Sequence, residues 1–216
     1  MKNRVKIFND WCVRATCITA VCILWGCTSG AHVIPSVSIP DPLIDPFPMT
    51  VGIYYPPELK EKIHEEERAR QKYVVELGSN QEQVFDSSLG GLFEELVSLE
   101  SSTPQDTNVD GIFVPEIVGV ILATPADTGR DYYEVQIKYL IQLFDPGGDE
   151  IYGWIINAYG KVNRRDYGSV MERTSDALQQ ATENALRDAS TQIIERFNPH
   201  RRPDVVSNWL STSRNK

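Results

Sequence analysis

Beyond residue 27 the chain has no cysteine. All four, Cys12, Cys17, Cys22 and Cys27, lie in the first 27 of 216 residues. The remainder can therefore form no internal disulfide and has no thiolate for catalysis. The five-residue steps between these cysteines do not match the two to four intervening residues usual within a zinc-ligand pair. Histidine is nearly as scarce. His32, His64 and His200 are the three present, none at ligand or triad spacing, and each is expected at the surface. No G-x-G-x-x-G, Walker or G-x-S-x-G pattern occurs. Glu65, Glu66 and Glu67 are consecutive and cannot converge as a carboxylate pair from one helix face. Asp145 and Asp149 flank a Pro-Gly-Gly turn without the ligand series of a calcium loop. No catalytic residue, metal site or cofactor site is therefore expected.

What is present starts with the leader. Lys2, Arg4, Lys6 and Arg14 precede an apolar or small run over residues 15–25, followed by Gly26 and Cys27. That is the basic, apolar, small-residue order of an export signal. The run is too short for the roughly 20 residues a membrane-spanning helix needs. The stretch Ile23-Leu24-Trp25-Gly26-Cys27 resembles the lipobox of bacterial lipoproteins, with leucine three residues before the cysteine and a small residue immediately before it. It departs from that pattern at Trp25, where a small residue is usual. The resemblance implies removal of residues 1–26 and acylation of Cys27. Thr28, not aspartate, follows, and by the same resemblance this implies the outer membrane, with the domain facing the periplasm.

The leader carries a net +3, so the total of −9 leaves the mature chain at −12. Such a chain repels nucleic-acid phosphates and anionic headgroups. Nucleic-acid binding is thus not expected, and membrane contact is expected from the acyl chains on Cys27 and not from a basic face. The mature length suits one domain.

Residues 27–48 are expected to be a lipidated cysteine and a linker. Five prolines fall among residues 28–48, an extended spacer of about 60 Å at roughly 3.1 Å per residue. Its apolar residues suggest that part of it lies against the domain or a partner. The domain is expected over residues 49–210, with a disordered tail at 211–216. Residues 49–55 read as a strand stopped by Pro56-Pro57, and 58–71 as a charged, solvated helix. Residues 72–77 read as a strand and 81–99 as a helix with Gly90-Gly91 inside it. Strands over 111–124, 131–144 and 151–162 are separated by turns. In the second, Tyr133, Val135, Ile137, Tyr139, Ile141 and Leu143 alternate with polar residues. A last helix begins between Ser169 and Ser175, where Ser169 and Glu172 fit a capping box, and ends at Asn198-Pro199. The fold class is α+β: an antiparallel sheet with a C-terminal meander, packed on one side by two main helices.

The order of lipidated cysteine, linker, strand, helix, meander and long helix resembles the small α/β lipoproteins of Gram-negative envelopes. These include the lipopolysaccharide-assembly, penicillin-binding-protein-activator and curli-secretion lipoproteins. The resemblance implies a non-enzymatic accessory in envelope assembly or transport, with an envelope protein or a lipid as partner. Tyr132, Tyr139, Tyr152, Trp154 and Tyr159 cluster on the last two strands and form the candidate partner surface. The alternatives are an envelope hydrolase with a site assembled from remote residues, and a structural envelope protein docking through residues 58–71.

Overall fold

The computed structural model describes residues 30–40, 42–68, 70–102, 108–167 and 170–213. The leader, Cys27 and the Ser169 cap lie outside them. In chain order the elements are β1 (Ala31–Val33), β2 (Phe47–Tyr54), α1 (Pro57–Lys60), β3 (Ile63–Arg68) and β4 (Gln71–Glu76). They are followed by α2 (Gly78–Gly90), β5 (Phe93–Leu99), β6 (Gly111–Ala123) and α3 (Pro125–Thr128). The chain closes with β7 (Tyr132–Phe144), β8 (Glu150–Asn163), a 3-10 turn (Arg164–Asp166), α4 (Val170–Arg196) and α5 (Asp204–Ser213).

Two sheets result. The larger has the order β5-β2-β6-β7-β8, and the smaller β1-β4-β3. The expected α+β class and meander are present: β6, β7 and β8 run antiparallel through short turns. The other end of the sheet is parallel, with β2 paired to both β5 and β6. β2 reaches only residues 111–113 of β6. Pro115 therefore sits where one side of β6 is already free of a partner, and its missing N–H breaks no ladder there.

One face of the large sheet is covered by α2 and α4. The inner residues of β7, Tyr133 through Leu143 at every second position, are all buried. α4 meets them with a stripe of Ala177, Leu178, Ala181, Ala185, Leu186, Ala189 and Ile193, all buried. Small residues let the backbones approach. A β-carbon on Gly160 of β8 would stand 1.9 Å from the Ala181 carbonyl oxygen. α2 joins α4 through a buried hydrogen bond, Ser88 Oγ to Ser190 Oγ at 2.7 Å. At the far end, Phe93, Phe113 and Phe197 pack edge-on or tilted with centroids 5.4–6.1 Å apart. Such contacts contribute about 0.5–1.5 kcal/mol each beyond area burial. Trp209 of α5 joins them and donates its indole N–H to the Asp110 carbonyl at 3.0 Å.

Four expectations are corrected. Residues 58–71 are not one helix. After the single turn of α1 the chain becomes β3, which pairs with β4 from Ile63↔Glu76 to Arg68↔Gln71. His64, Glu66 and Arg68 then share one side at period two, and Arg68 donates to Glu66 at 2.7 Å. The turn is closed by Arg70 at φ 64. His64 is accordingly half-buried, whereas His200 is exposed.

Residues 81–99 are not one helix either. α2 ends at Gly90, and β5 adds to the edge of β2. Gly91 is required there because a β-carbon would lie 2.2 Å from the Pro42 ring. Residues 211–213, expected in the tail, belong to α5.

The fourth correction concerns the spacer. β1 pairs in parallel with β4, the Ser36 N–H reaches Glu183 at 3.2 Å, and Val37 is buried. Residues 31–40 therefore form a strap along α4: the expected contact of part of the spacer with the domain is found, and the expected reach of about 60 Å is not.

Candidate functional site

The five aromatic residues expected on one surface divide between the two faces of the sheet. Tyr139 is 1% exposed and meets Phe85 edge-on at 5.5 Å. Trp154 is buried against Phe113 and Phe197, and Tyr152 stacks on Trp154 at 5.6 Å. These three belong to the helix-covered side, so they are no exposed partner surface. Burial alone pushes the Tyr139 hydroxyl far above the ordinary tyrosine pKa. Tyr132 and Tyr159 lie on the opposite side. The Lys161 ammonium sits 4.1 Å from the Tyr132 ring centre and pairs with Glu134 at 3.0 Å. Partial burial first, then the Glu134 carboxylate, raises the Tyr159 pKa. The separation follows from strand parity: neighbours along a strand point to opposite faces, so a cluster in sequence need not be one in space.

That opposite face is the first candidate. Pairing builds two cross-strand rows on it, Ile121–Gln136–Tyr159 and Glu116–Leu140–Ile155. Val118 is 54% exposed, Ile121 58%, Ile155 48% and Tyr159 45%. A shift in register between Ile117 and Gly119 changes the facing of β6 midway, and this places Val118 in solvent. Nearer β5, the same face holds a small apolar cluster of Leu99, Val109, Ile112 and Val114. The outer edge of β8 is not free: Asp188 accepts from the Tyr159 N–H at 2.9 Å, and Gln192 donates to the Asn157 carbonyl at 3.0 Å. Side chains of α4 thus occupy part of an edge that could otherwise add another strand.

The second candidate is a pocket of about 390 Å³ at the end of the sheet, between β4, α3, the 3-10 turn and the start of α4. Tyr73, Thr124, Tyr133 and Thr174 give it hydroxyls, and Arg130, Asp131 and Arg164 give it charges. The Tyr73 hydroxyl donates to Gln71 at 2.6 Å, and that of Tyr133 to Thr174 at 3.2 Å. Burial, then the neighbouring Tyr133 and Asp127, raises the Tyr73 pKa. Arg164 binds Asp131 through Nε at 2.9 Å and Nη2 at 2.8 Å, and Arg165 pairs with the other oxygen.

Beside the pocket, Asp127 accepts from both the N–H and the hydroxyl of Thr124 at 2.8 Å. It also pairs with Arg68 at 3.2 Å. Partial burial would raise its pKa, but the Thr124 bonds and Arg68 together hold it below the ordinary aspartate value. The sequence reading of residues 125–130 as a turn held no sign of the pocket. Its lining comes from four separated stretches of chain.

Among the described residues no group of three or more histidine, cysteine, aspartate and glutamate side chains could hold a metal ion. Asp145 accepts from the Asp149 N–H at 2.9 Å and shapes the β7–β8 turn. Among the described residues no helix is long and apolar enough to cross a membrane.

No protein-family model matches the chain, and no curated protein matches it. The fold is shared with a solved protein of Xanthomonas campestris assigned to the family DUF330. That structure is 10% identical, with a TM-score of 0.50 over 76% of this chain and 92% of the other. A minor lipoprotein of Acinetobacter baumannii is 11% identical, with a TM-score of 0.44 over 74% of this chain and 97% of that one.

Proposed function

We propose that this chain is a lipid-anchored envelope protein that acts by binding and not by catalysis, as an accessory in envelope assembly or transport. The acyl chains on Cys27 hold it at the outer membrane, facing the periplasm. The observation that carries the binding role is the asymmetry of the five-stranded sheet. Helices cover one face, while the other keeps Val118, Ile121, Ile155 and Tyr159 in solvent. Exposed apolar residues grouped on one face mark an interaction site. They alternate with Glu134, Gln136 and Lys138, a mixture suited to a protein partner with its own polar rim.

Affinity purification from detergent-solubilised envelopes tests the binding role. The wild type is expected to retain a protein partner that the double variant Ile121→Glu, Ile155→Glu loses. Recovery of a lone monomer, or a partner indifferent to both substitutions, contradicts the reading. The anchoring role has its own test. Cys27→Ala is expected to abolish palmitate incorporation and salt-resistant membrane attachment, because each buried methylene contributes about 0.8 kcal/mol to anchoring. Unchanged labelling of that variant removes the assignment.

A further inference from the structure

The short path from Cys27 to the folded domain restricts which end of the domain can meet a membrane. Gly30 is pressed onto the Lys72 backbone, where a β-carbon would stand 1.8 Å from the carbonyl oxygen. Ala31 then pairs with Tyr73. Three residue steps separate Cys27 from Gly30, and an extended chain covers at most about 3.6 Å per step. The two residues therefore lie within about 11 Å of each other. Gln71 and Tyr73, the neighbours of Lys72, line the 390 Å³ pocket. The pocket thus lies at the end of the domain from which the chain leaves toward its anchor.

Resting on the reading of Cys27 as the acylated residue, we propose that this end faces the bilayer and that the pocket receives the phosphodiester of a phospholipid headgroup. Its lining holds two arginines against one aspartate, in a chain whose net charge is −9. Asp131 is already paired with both Arg164 and Arg165, while the neighbouring Asp127 and Glu66 share Arg68. The Arg130 side chain is exposed and makes no hydrogen bond or ion pair among the described residues. It is the cation left to meet an incoming anion. The Arg130 guanidinium, a planar fork of donors, matches the oxygens of a phosphodiester. The pocket is polar and of headgroup size, at the small end of ligand pockets. A net charge taken over the whole chain conceals this local excess, which is why a basic contact with the membrane was not expected from composition.

Two measurements test the proposal. Purified full-length lipoprotein in neutral detergent is titrated calorimetrically with dihexanoyl phosphatidylglycerol and, separately, with inorganic phosphate. One lipid is expected to bind per chain. Arg130→Glu should weaken it at least tenfold without changing Tm, and Arg130→Lys should retain most of the affinity. Inorganic phosphate should bind at least tenfold more weakly than the lipid. Equal affinity for inorganic phosphate makes this a free-phosphate site and overturns the proposal. So does the absence of saturable lipid binding, or indifference to Arg130→Glu.

The second measurement places a donor dye on an introduced cysteine, Ala126→Cys or Pro146→Cys, in vesicles carrying a headgroup acceptor. β7 separates these positions by 13 residues, about 40 Å at roughly 3.3 Å per residue. Strong energy transfer is expected from position 126 and weak transfer from 146. Equal transfer, or the reverse order, overturns the orientation. If palmitate labelling of Cys27 fails while the short-chain lipid still binds, the anchoring reading falls and the headgroup site stands.

Discussion

The two faces of the five-stranded sheet are made by the same strands and obey opposite rules. On the covered face, β7 contributes an unbroken alternation of buried residues, and α4 approaches so closely that only glycine fits at position 160. On the open face the same strands present Gln136, Lys138 and Glu134 with exposed apolar residues between them. The first face has little freedom to vary in volume, because interiors are close-packed and backbone–backbone contacts cannot yield by rotating a side chain. The second is free to vary without cost to folding, and so it can be specialised for a partner. Function is therefore expected where stability is least engaged.

The largest expected effect lies on the covered face. Gly160→Ala places a methyl group against the Ala181 carbonyl and the Ala185 amide. It should lower unfolding free energy by about 3 kcal/mol, the upper part of the range for overpacking, as read in urea denaturation. Loss below 0.5 kcal/mol would mean that α4 is not seated as described. Ser190→Ala comes next. It removes one partner of the buried hydroxyl pair with Ser88, which still reaches the Val84 carbonyl at 2.6 Å. About 1 kcal/mol is expected, the net worth of one intramolecular hydrogen bond.

The third expected effect is pH-dependent and concerns the pocket end. The folded pKa of Asp127 is depressed. Its contribution is therefore present above the unfolded pKa and lost as pH falls through the folded value. Asp127→Asn should lower Tm at neutral pH and converge with the wild type in acid. A constant gap at all pH values contradicts this. The smallest effect belongs to the open face, where Ile121→Glu should change stability by less than about 0.5 kcal/mol. A substantial loss there would show that the face is structural.

The sequence revealed the covered face more fully than the open one. In β7 the period-two pattern named each buried residue. Gly160, where β8 meets α4, carries no periodic signal. Residues 63–68 misled because an exposed edge strand needs no apolar alternation, only cross-strand pairs such as Lys72 with Glu65 at 2.8 Å. Residues 92, 93 and 96 continued the helical spacing of 84, 85 and 89 by coincidence, although Leu92 and Phe93 are buried from a different element. The aromatic cluster was legible as composition but not as a surface. Tyr152 and Trp154 share one parity and Tyr159 has the other, and a cluster read without parity merges two faces. The pocket was illegible because Tyr73, Arg130, Arg164 and Thr174 come together only through the packing of the two sheets and α4.

Site-specific photo-crosslinking in intact envelopes tests the asymmetry most directly. One photoreactive residue replaces Ile155 on the open face, and another replaces Thr191, an exposed position on α4. The binding account predicts a discrete protein adduct from position 155 and none from 191. An adduct from 191 alone, or identical patterns from both positions, would contradict it.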